Sequence, residues 1–376
     1  MRDDRMTTAT VSEHPIPQSE AEVVDAVRTA HDERVPLRIV GRGGWLRAGR
    51  PVEAQRTLDV SKVNGIVEYV PGDLTMTARA GTTLAEIADA TAVHRQWLPL
   101  DPFGDLNGTL GATLATASAG PLGGSIGLPR DVTVGVSFVT GSGEIVRGGG
   151  RVVKNVAGFD LVRLTIGAWG TLGVITEATV RLRARPEADE TFVLALPDER
   201  DALATLLSTI RVAAVEPLAA ELLSPVCANG VGLGNQAVML VRLAGNTTGV
   251  HHQRATLAKL APCEPVSSDV WLKLRQSDPT GGVVVRVSRR PSELARLWSI
   301  ALTSPDVDAH ATLARGTVRL RLTSDHLLDA FDPEDRRVFE EGSRLPAPTN
   351  AISERMRDAF DPARILNRGI LGENTR

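Results

Sequence analysis

Cysteine and aromatic residues are scarce in this sequence. Cys227 and Cys263 are the only cysteines among 376 residues, whereas a cysteine-ligated iron–sulfur cluster needs about four thiolates. We therefore expect no such cluster on this chain, and two distant thiols are typical of a reducing compartment. Aromatic residues make up 3% of the chain, which argues against the stacking surfaces that bind single-stranded nucleic acid.

A basic excess and long apolar runs are also lacking. The 42 basic and 45 acidic residues give a net charge of −3, so no nucleic-acid partner is predicted. No apolar run approaches the roughly 20 residues that a transmembrane helix needs. Residues 1–14 are polar and charged, without the apolar core of a signal peptide. We expect these residues to be disordered and the protein to be cytoplasmic.

Hydrophobic periodicity divides the rest of the chain into two regions and a tail. In residues 15–185 it predicts helices after Ser19 and Thr83 and β-hairpins over 66–80 and 132–146. In residues 186–332, strands and helices alternate without phosphate loops, which predicts an α+β cap with an antiparallel sheet. From about residue 332 the chain is expected to be loop-like, with a helix over 350–360 inside the terminal segment 333–376.

Glycine is abundant, and many of the 35 glycines fall in four motifs. Glycine lets backbone N–H groups approach a ligand closely, and runs of such groups form anion sites. The first motif is Gly-Arg-Gly-Gly at 41–44, and the second runs from Pro99 through Gly-Thr-Leu-Gly at 108–111 to Asp131. The third reads Lys-Asn-Val-Ala-Gly-Phe-Asp-Leu over 154–161 and continues as Gly-Thr-Leu-Gly-Val-Ile-Thr over 170–176. The fourth is Phe-Asp-Pro-Ala-Arg-Ile-Leu-Asn-Arg-Gly over 360–369.

These four motifs, in this order, resemble those of the FAD-linked oxidases of the vanillyl-alcohol-oxidase/PCMH type. Within that family the chain is most similar to the smaller flavin-binding subunit, the E subunit, of bacterial glycolate oxidases. Arg368 stands where the family's terminal motif usually has proline. The resemblance implies an α+β fold, in which a PCMH-type FAD-binding domain of two α+β subdomains carries the antiparallel cap.

The resemblance also implies which residues surround the cofactor. Some family members attach the flavin covalently through a histidine after the first glycines, but this sequence has Trp45-Leu46-Arg47 there, so we expect non-covalent FAD. The implied FAD-binding residues are Gly41, Arg42, Gly43, Gly44, Pro99, Gly108, Thr109, Gly111, Gly120, Gly127, Asp131, Lys154, Gly158, Asp160, Gly170, Gly173, Val174, Ile175 and Asn367.

Several of these residues have a simpler structural interpretation. The segment around Gly108-Thr109 can present a helix N-terminus to a phosphate, or it can begin a tightly packed helix. Asp131 can belong to a turn and a cap, and Asp160 can cap the helix that follows it. Asn367 is equally consistent with a turn, and the side chain of Ile175 is expected in the core in either case.

Groups for the substrate are harder to identify. A 2-hydroxy acid needs a cation for its carboxylate and a base for its hydroxyl proton. Among the cap arginines, which include Arg275, Arg319 and Arg321, we favour Arg286 because it lies in an apolar strand, although a surface-facing position explains it equally well. His310 is the candidate base, or else a structural histidine. His251-His252 lacks the spacing of metal ligands, so no metal site is predicted.

The resemblance implies hydride transfer from a 2-hydroxy acid to flavin N5, as in a glycolate oxidase subunit. Larger family members carry a late Gly-Asp-Gly-Asn-Leu-His segment, which this chain lacks. We therefore expect activity in complex with a larger FAD subunit and an iron–sulfur subunit, with any peripheral contact to the inner membrane made through these partners. Two alternatives stay open, namely an independent flavin oxidase of another alcohol or sugar and a non-catalytic flavin-binding subunit.

Overall fold

The computed structural model describes residues 14–150, 160–277, 283–304, 306–322, 326–332, 334–341 and 351–371. The first region has the elements α1 (Glu20–Glu33), β1 (Leu37–Val40), β2 (Arg56–Asp59), β3 (Ile66–Val70), β4 (Thr75–Arg79), α2 (Leu84–Ala92), β5 (Gln96–Trp97), α3 (Leu110–Thr116), α4 (Pro129–Val132), β6 (Thr133–Val139), β7 (Ile145–Gly149), α5 (Leu161–Thr165), β8 (Val174–Arg181) and β9 (Arg183–Ala184).

The second region and the tail follow. Their elements are β10 (Ala188–Ala195), α6 (Arg200–Val212), β11 (Ala219–Leu223), α7 (Pro225–Val231), β12 (Val238–Gly245), α8 (Thr247–Leu260), β13 (Cys263–Val266), α9 (Asp269–Gln276), β14 (Val283–Ser288), α10 (Leu294–Ala301), β15 (Asp308–Thr312), β16 (Thr317–Leu322), β17 (Arg336–Glu341) and α11 (Ala351–Phe360). Within the described ranges, no helix is long and apolar enough to cross a membrane.

The first region is built from two α+β subdomains. In the smaller one, the parallel strands β1 and β2 pack against α1, whose buried Val23 and Val27 join a core with Leu37 and Leu58. In the larger one, the antiparallel sheet β3-β4-β8-β6-β7 packs against α2 and α3 through residues such as Ile87. The expected antiparallel hairpins β3–β4 and β6–β7 are both present.

Local capping explains where the first helices begin. The Thr83 hydroxyl accepts a 3.1 Å hydrogen bond from the N–H of Glu86, and the Glu86 carboxylate accepts a 2.7 Å bond from the N–H of Thr83. These bonds lower the pKa of Glu86, and together they form the capping box predicted at α2. At α1, Ser19 caps the N–H of Glu22, but the Glu22 carboxylate binds the N–H of Gln18 instead.

The second region is the expected α+β cap. Its eight strands are ordered β13-β10-β12-β11-β15-β16-β14-β17, and every recorded pairing is antiparallel. One face packs on α6, α8 and α10 in a core that contains Phe192, Leu207 and Trp298. Because side chains alternate along a strand, the polar residues between these core positions lie on the other face.

The cap sheet extends further along the chain than expected. The sequence predicted a loop-like chain from about residue 332, but β17 pairs with β14 through residues 336–341. That prediction is wrong for these six residues. The strand runs Arg-Arg-Val-Phe-Glu-Glu. Its charged residues outnumber the apolar pair, so the sequence gives little indication of a strand here. The strand forms at the sheet edge because it pairs with β14, which is distant in the sequence.

The last part of the terminal segment, after α11, packs against the first region. Its Asn367 joins three pieces of chain, because Oδ1 accepts a 2.8 Å hydrogen bond from the N–H of Ile39 and Nδ2 donates a 2.7 Å bond to the carbonyl of Trp169. The N–H of Asn367 also donates to the carbonyl of Leu37 at 2.9 Å. Asn367 has φ +42°, a left-handed conformation that asparagine tolerates better than most residues.

Asp361 orders the turn before this asparagine. Its carboxylate is fully buried and accepts hydrogen bonds from the N–H groups of Ile365 and Leu366 at 3.1 and 2.9 Å. The nearby Arg357 donates to the carbonyl of Leu366 at 2.5 Å. Burial raises the pKa of Asp361 against the opposing effect of these hydrogen bonds.

Removing the Asn367 side chain is expected to destabilise the fold. In Asn367→Ala the Ile39 N–H and the Trp169 carbonyl lose their partners, which we expect to cost about 2–4 kcal/mol. Asn367→Gly loses the same bonds but relaxes the left-handed backbone, so it should be about 1 kcal/mol less destabilised than the alanine variant. Urea unfolding measures both values. Wild-type stability in Asn367→Gly would contradict a structural role for the amide.

Candidate functional site

A cavity with an open volume of ≈ 750 Å³ lies where the two subdomains of the first region meet the terminal segment. Its wall combines the turn after β1, the side of α3, the loop before β8 and the end of the chain. The lining residues are Arg38, Ile39, Val40, Gly41, Gly43, Gly44, Trp45, Leu46, Val52, Val60, Thr109, Gly111, Ala112, Ala115, Thr116, Trp169, Gly170, Gly173, Ile175, Asn367 and Ile370.

The glycine turn after β1 supplies hydrogen-bond donors to this cavity. Among the described residues, the backbone N–H groups of Arg42, Gly43, Gly44 and Trp45 have no recorded acceptor. Successive unpaired N–H groups in a turn form a concave site for anions. A cofactor with a diphosphate therefore fits this end of the cavity.

Gly44 differs from the other glycines of the cavity. A Cβ added to Gly44 meets no protein atom within 4 Å, so it would extend into open space. A Cβ on Gly41 would lie 2.6 Å from the Thr109 hydroxyl, and one on Gly173 would lie 2.4 Å from the Phe138 ring. These two glycines are therefore required by packing, whereas Gly44 leaves room for a ligand.

The N–H groups in the first turn of α3 are bonded within the protein, which favours the packed-helix alternative over an anion site at this helix N-terminus. The N–H groups of Leu110 and Gly111 donate to the carbonyls of Thr82 and Ala80, both at 2.8 Å, and the N–H of Ala112 donates to the Thr109 hydroxyl at 3.3 Å. These bonds anchor the helix to the chain after β4. The helix lines the cavity with its side instead, through small residues.

The structure brings together nine of the residues predicted to bind the cofactor. Gly41, Gly43, Gly44, Thr109, Gly111, Gly170, Gly173, Ile175 and Asn367 all line the cavity. Eight others do not line it, namely Arg42, Pro99, Gly108, Gly120, Gly127, Asp131, Asp160 and Val174. Lys154 and Gly158 lie outside the described residues.

The predicted residues that miss the cavity have local structural roles. The N–H of Gly120 donates to the carbonyl of Asp101 at 3.0 Å, and a Cβ there would approach that oxygen to 2.3 Å. Gly127 has φ +108°, which favours glycine. In the turn that follows, the Asp131 carboxylate accepts a 2.8 Å hydrogen bond from the N–H of Leu128. Asp160 caps α5 by accepting from the N–H of Arg163 at 3.0 Å.

Sequence reasoning missed several cavity residues. Trp45 and Leu46 follow the glycine turn directly, so adjacency to a motif was the available signal. Trp169 has φ +55° and lies between Gly167 and Gly170, which also have positive φ. The sequence Gly-Ala-Trp-Gly was the available indication of this strained turn. Arg38 lies on β1 and donates to the carbonyl of Leu46, and burial lowers its pKa. Nothing in the sequence distinguishes Arg38 from a surface arginine.

The two predicted substrate groups lie on the face of the cap sheet opposite α6, α8 and α10, which also carries an apolar cluster around Leu223 and Leu240. In strand register, Arg286 on β14 pairs with Arg319 on β16, which pairs with His310 on β15. This cap row carries positive charge, and Arg319 and His310 are only 5% and 3% exposed. The sequence could not predict that Arg286, Arg319 and His310 are neighbours, because they lie on three separate strands whose pairing is set by the fold.

Two further residues hold the cap row in place. His310 Nδ1 lies 2.8 Å from the carboxylate of Glu221, a fully buried residue on β11, while His310 Nε2 has no recorded partner among the described residues. Phe103 from the first region packs on the row, with its ring centre 3.8 Å from Arg319 Cζ and 5.6 Å from the His310 ring. The row therefore forms part of the contact between cap and first region.

A glycine-lined cavity between two α+β subdomains, with an antiparallel cap alongside, is the arrangement of PCMH-type flavoproteins, and the comparisons with known proteins agree. The family model for the FAD-binding domain matches residues 15–149. The chain is 34% identical over 260 residues to glycolate oxidase subunit GlcE of Escherichia coli (strain K12), covering 68% of this chain and 67% of that protein. The chain belongs to this family of FAD-linked oxidoreductases, and its cofactor is FAD.

Other similar proteins agree with the family. Glycolate oxidase subunit GlcD of Bacillus subtilis (strain 168) is 34% identical over 208 residues, which cover 55% of this chain and 44% of that protein. The chain thus spans less than half of this relative. A solved structure of p-cresol methylhydroxylase with bound substrate superposes with a TM-score of 0.75 at 16% identity, covering 96% of this chain and 88% of that one. It supports the fold alone.

Gly44→Val is expected to abolish FAD binding while leaving the fold intact. Gly44 lines the cavity, and a Cβ there meets no protein atom within 4 Å, so we expect the added side chain to interfere with the cofactor and not with packing. Gly72→Val is the matched control, because a Cβ on this exposed glycine also meets nothing within 4 Å and lies outside the cavity. FAD titration of apoprotein should show a loss of about tenfold or more for Gly44→Val. Equal FAD content in both variants would contradict cofactor contact at Gly44.

Proposed function

We propose that this chain is an FAD-binding oxidoreductase subunit that oxidises a 2-hydroxy acid, as a glycolate oxidase subunit does. The main support is that nine residues predicted from four separate motifs line one cavity. The cap row adds support, because it places a positive surface and a histidine against the first region. When bound, FAD would supply the hydride acceptor for oxidation of the alcohol carbon.

The cavity wall suggests how the cofactor is held. The unpaired N–H groups of residues 42–45 would bind the diphosphate, and the side of α3 would contact the apolar parts of the cofactor. The Asn367 amide is already bonded to Ile39 and Trp169, so it would shape the wall and leave the direct hydrogen bonds to other residues. The sequence Trp45-Leu46-Arg47 offers no histidine for a covalent link.

Substrate groups are proposed on the cap row. Arg286 or Arg319 would bind the carboxylate, since a guanidinium forms strong charge-assisted hydrogen bonds with it. His310 would take the hydroxyl proton at Nε2, because Glu221 holds Nδ1 and leaves Nε2 as the nitrogen without a recorded partner. A carboxylate on one ring nitrogen fixes the orientation of the imidazole and stabilises its protonated form.

Partners are proposed from the relatives. GlcE and GlcD are named as subunits of a glycolate oxidase, which supports assembly of this chain with a larger FAD subunit. With two cysteines in the chain, electrons would leave through an iron–sulfur subunit or another acceptor. We place the complex in the cytoplasm, with any association with the inner membrane made through these partners.

One observation favours a non-catalytic flavin-binding subunit as the second candidate. Phe103 covers Arg319, and both Arg319 and His310 are almost fully buried. Phe103 would have to move for a substrate to contact the face of the Arg319 guanidinium that it covers. In this case the chain would carry FAD and support a catalytic partner without turning over substrate itself.

The purified protein is expected to be yellow and to release its FAD on acid or heat denaturation. The reason is that no histidine follows the glycine turn, so only non-covalent contacts hold the cofactor. Absorption of the supernatant after precipitation measures the released flavin. Flavin that stays with the precipitated protein would contradict non-covalent binding, and a protein that binds no added FAD would contradict the site.

His310→Gln is expected to slow substrate oxidation by about 100-fold in the assembled complex, since a positioned base contributes a factor of that order. Stopped-flow reduction of the flavin by glycolate and by D-lactate measures the rate, and FAD content should be unchanged. His252→Gln, at an exposed position on α8, is the control. An unchanged rate and pH profile in His310→Gln would favour the non-catalytic subunit, and rapid turnover by the chain alone would favour an independent oxidase.

A further inference from the structure

A second cavity lies between the first region and the cap, near the chain crossing at Arg185-Pro186. Its open volume is ≈ 1200 Å³, and it shares no lining residue with the cofactor cavity. We call it the interdomain cavity. Its lining residues are Leu84, Ala88, Trp97, Leu98, Leu100, Asp101, Leu106, Pro121, Leu122, Arg185, Pro186, Asp189, Ala219, Arg242, Trp271 and Arg275.

Positive charge exceeds negative charge in this cavity. Three guanidiniums line it, and only that of Arg242 is neutralised directly, through bonds of 2.8 and 2.5 Å to Asp189. Arg275 donates one 3.2 Å bond to the carbonyl of Pro102, and Arg185 donates one of 3.2 Å to the carbonyl of Gln96. Most donors of these two guanidiniums therefore have no recorded protein acceptor.

The Asp101 carboxyl offsets the charge of Arg275 only in part. Burial raises the pKa of Asp101 to about 7, although its carboxylate accepts a 2.9 Å bond from the N–H of Leu122. It therefore carries only part of a negative charge at neutral pH. Burial lowers the pKa of Arg275, and the like charge of Arg242 lowers it further. The negative charge of Asp101 acts in the opposite direction. An anion placed between Arg275 and Arg242 would relieve this repulsion.

The remaining wall is apolar. The side chains of Trp97 and Trp271 line the cavity together with five leucines, and the indole N–H groups are already bonded to Ala184 and Thr191. The rings thus offer their apolar surfaces to a ligand. Pockets for small molecules usually combine such a wall with a few convergent polar groups.

We propose that the interdomain cavity binds a small organic monocarboxylate with an apolar body about the size of a benzyl group. Its carboxylate would bind Arg275 and face Arg242, and its body would pack against the two tryptophans. This inference is independent of the proposed reaction, because no residue that lines the interdomain cavity lines the cofactor cavity or belongs to the cap row.

Calorimetry on the FAD-loaded chain tests the proposal with three probes. Phenylacetate should bind with a Kd of about 1 mM or lower, whereas acetate lacks the body and 2-phenylethanol lacks the charge, so both should bind at least about tenfold more weakly. Glycolate also lacks the apolar body, so it should compete with phenylacetate no better than acetate does. Failure of phenylacetate to bind, equal binding of 2-phenylethanol, or tighter competition by glycolate than by acetate would each overturn the proposal.

Three variants locate the site. Arg275→Gln should weaken phenylacetate binding by about tenfold or more, while Arg200→Gln, an exposed arginine on α6, should leave it unchanged. Ala88→Trp fills the cavity from the partly exposed side of α2 and should abolish binding without disturbing the contacts of Arg275. FAD content and urea unfolding report whether each variant is folded. Wild-type affinity in folded Arg275→Gln or Ala88→Trp would refute the site.

Binding should also depend on pH through Asp101. The charged groups around Asp101 are Arg275, Arg242 and Glu221, and arginine stays protonated throughout. As the pH falls from 8 to 6, Asp101 becomes protonated, the positive surplus grows and phenylacetate should bind more tightly. Asp101→Asn keeps an oxygen for the N–H of Leu122 and should bind as tightly at pH 8 as at pH 6. A wild-type affinity that is constant across this range would contradict the role of Asp101.

Discussion

The hydrogen bonds of the Asn367 side chain connect the parts of the molecule on which the cofactor cavity depends. One amide atom fixes β1 immediately before the glycine turn, and the other fixes the loop that leads into β8. The buried carboxylate of Asp361 orders the turn that presents this asparagine. Because a buried amide without partners is costly, these three segments are constrained to one arrangement, and the cavity lies between them.

The cap follows a different physical constraint, which is the alternation of side chains along its strands. Val285 and Val287 enter the helix-covered core, so Arg286 between them must lie on the opposite face. The same alternation places Arg319 and His310 on that face. Their burial is tolerated because Glu221 bonds the imidazole and the Phe103 ring covers the guanidinium. The position of the cap row is thus a consequence of the apolar core on the opposite face of the sheet.

Features set by neighbours in sequence could be predicted, and those set by distant partners could not. The capping box at Thr83 and the hairpin β6–β7 involve nearby residues, and both are present. The start of α3 also looked like a free helix end, but Ala80 and Thr82 accept its donors. Asp131 and Asp160 each had a turn or cap as an alternative, and the structure gives them those roles. Motif order identified the cavity because each motif contributes one segment of its wall.

The position of the terminal segment has a consequence for biosynthesis. Residues 365–370 contribute Asn367 and Ile370 to the cavity wall and bond to β1, more than 300 residues earlier in the chain. A ribosome releases the chain from its N-terminus, so both subdomains and the cap emerge before the cavity can close. FAD loading is therefore expected only after residues 365–370 have been synthesised. A chain that stops before residue 365 would lack Asn367 and Ile370, two of the residues that line the cavity.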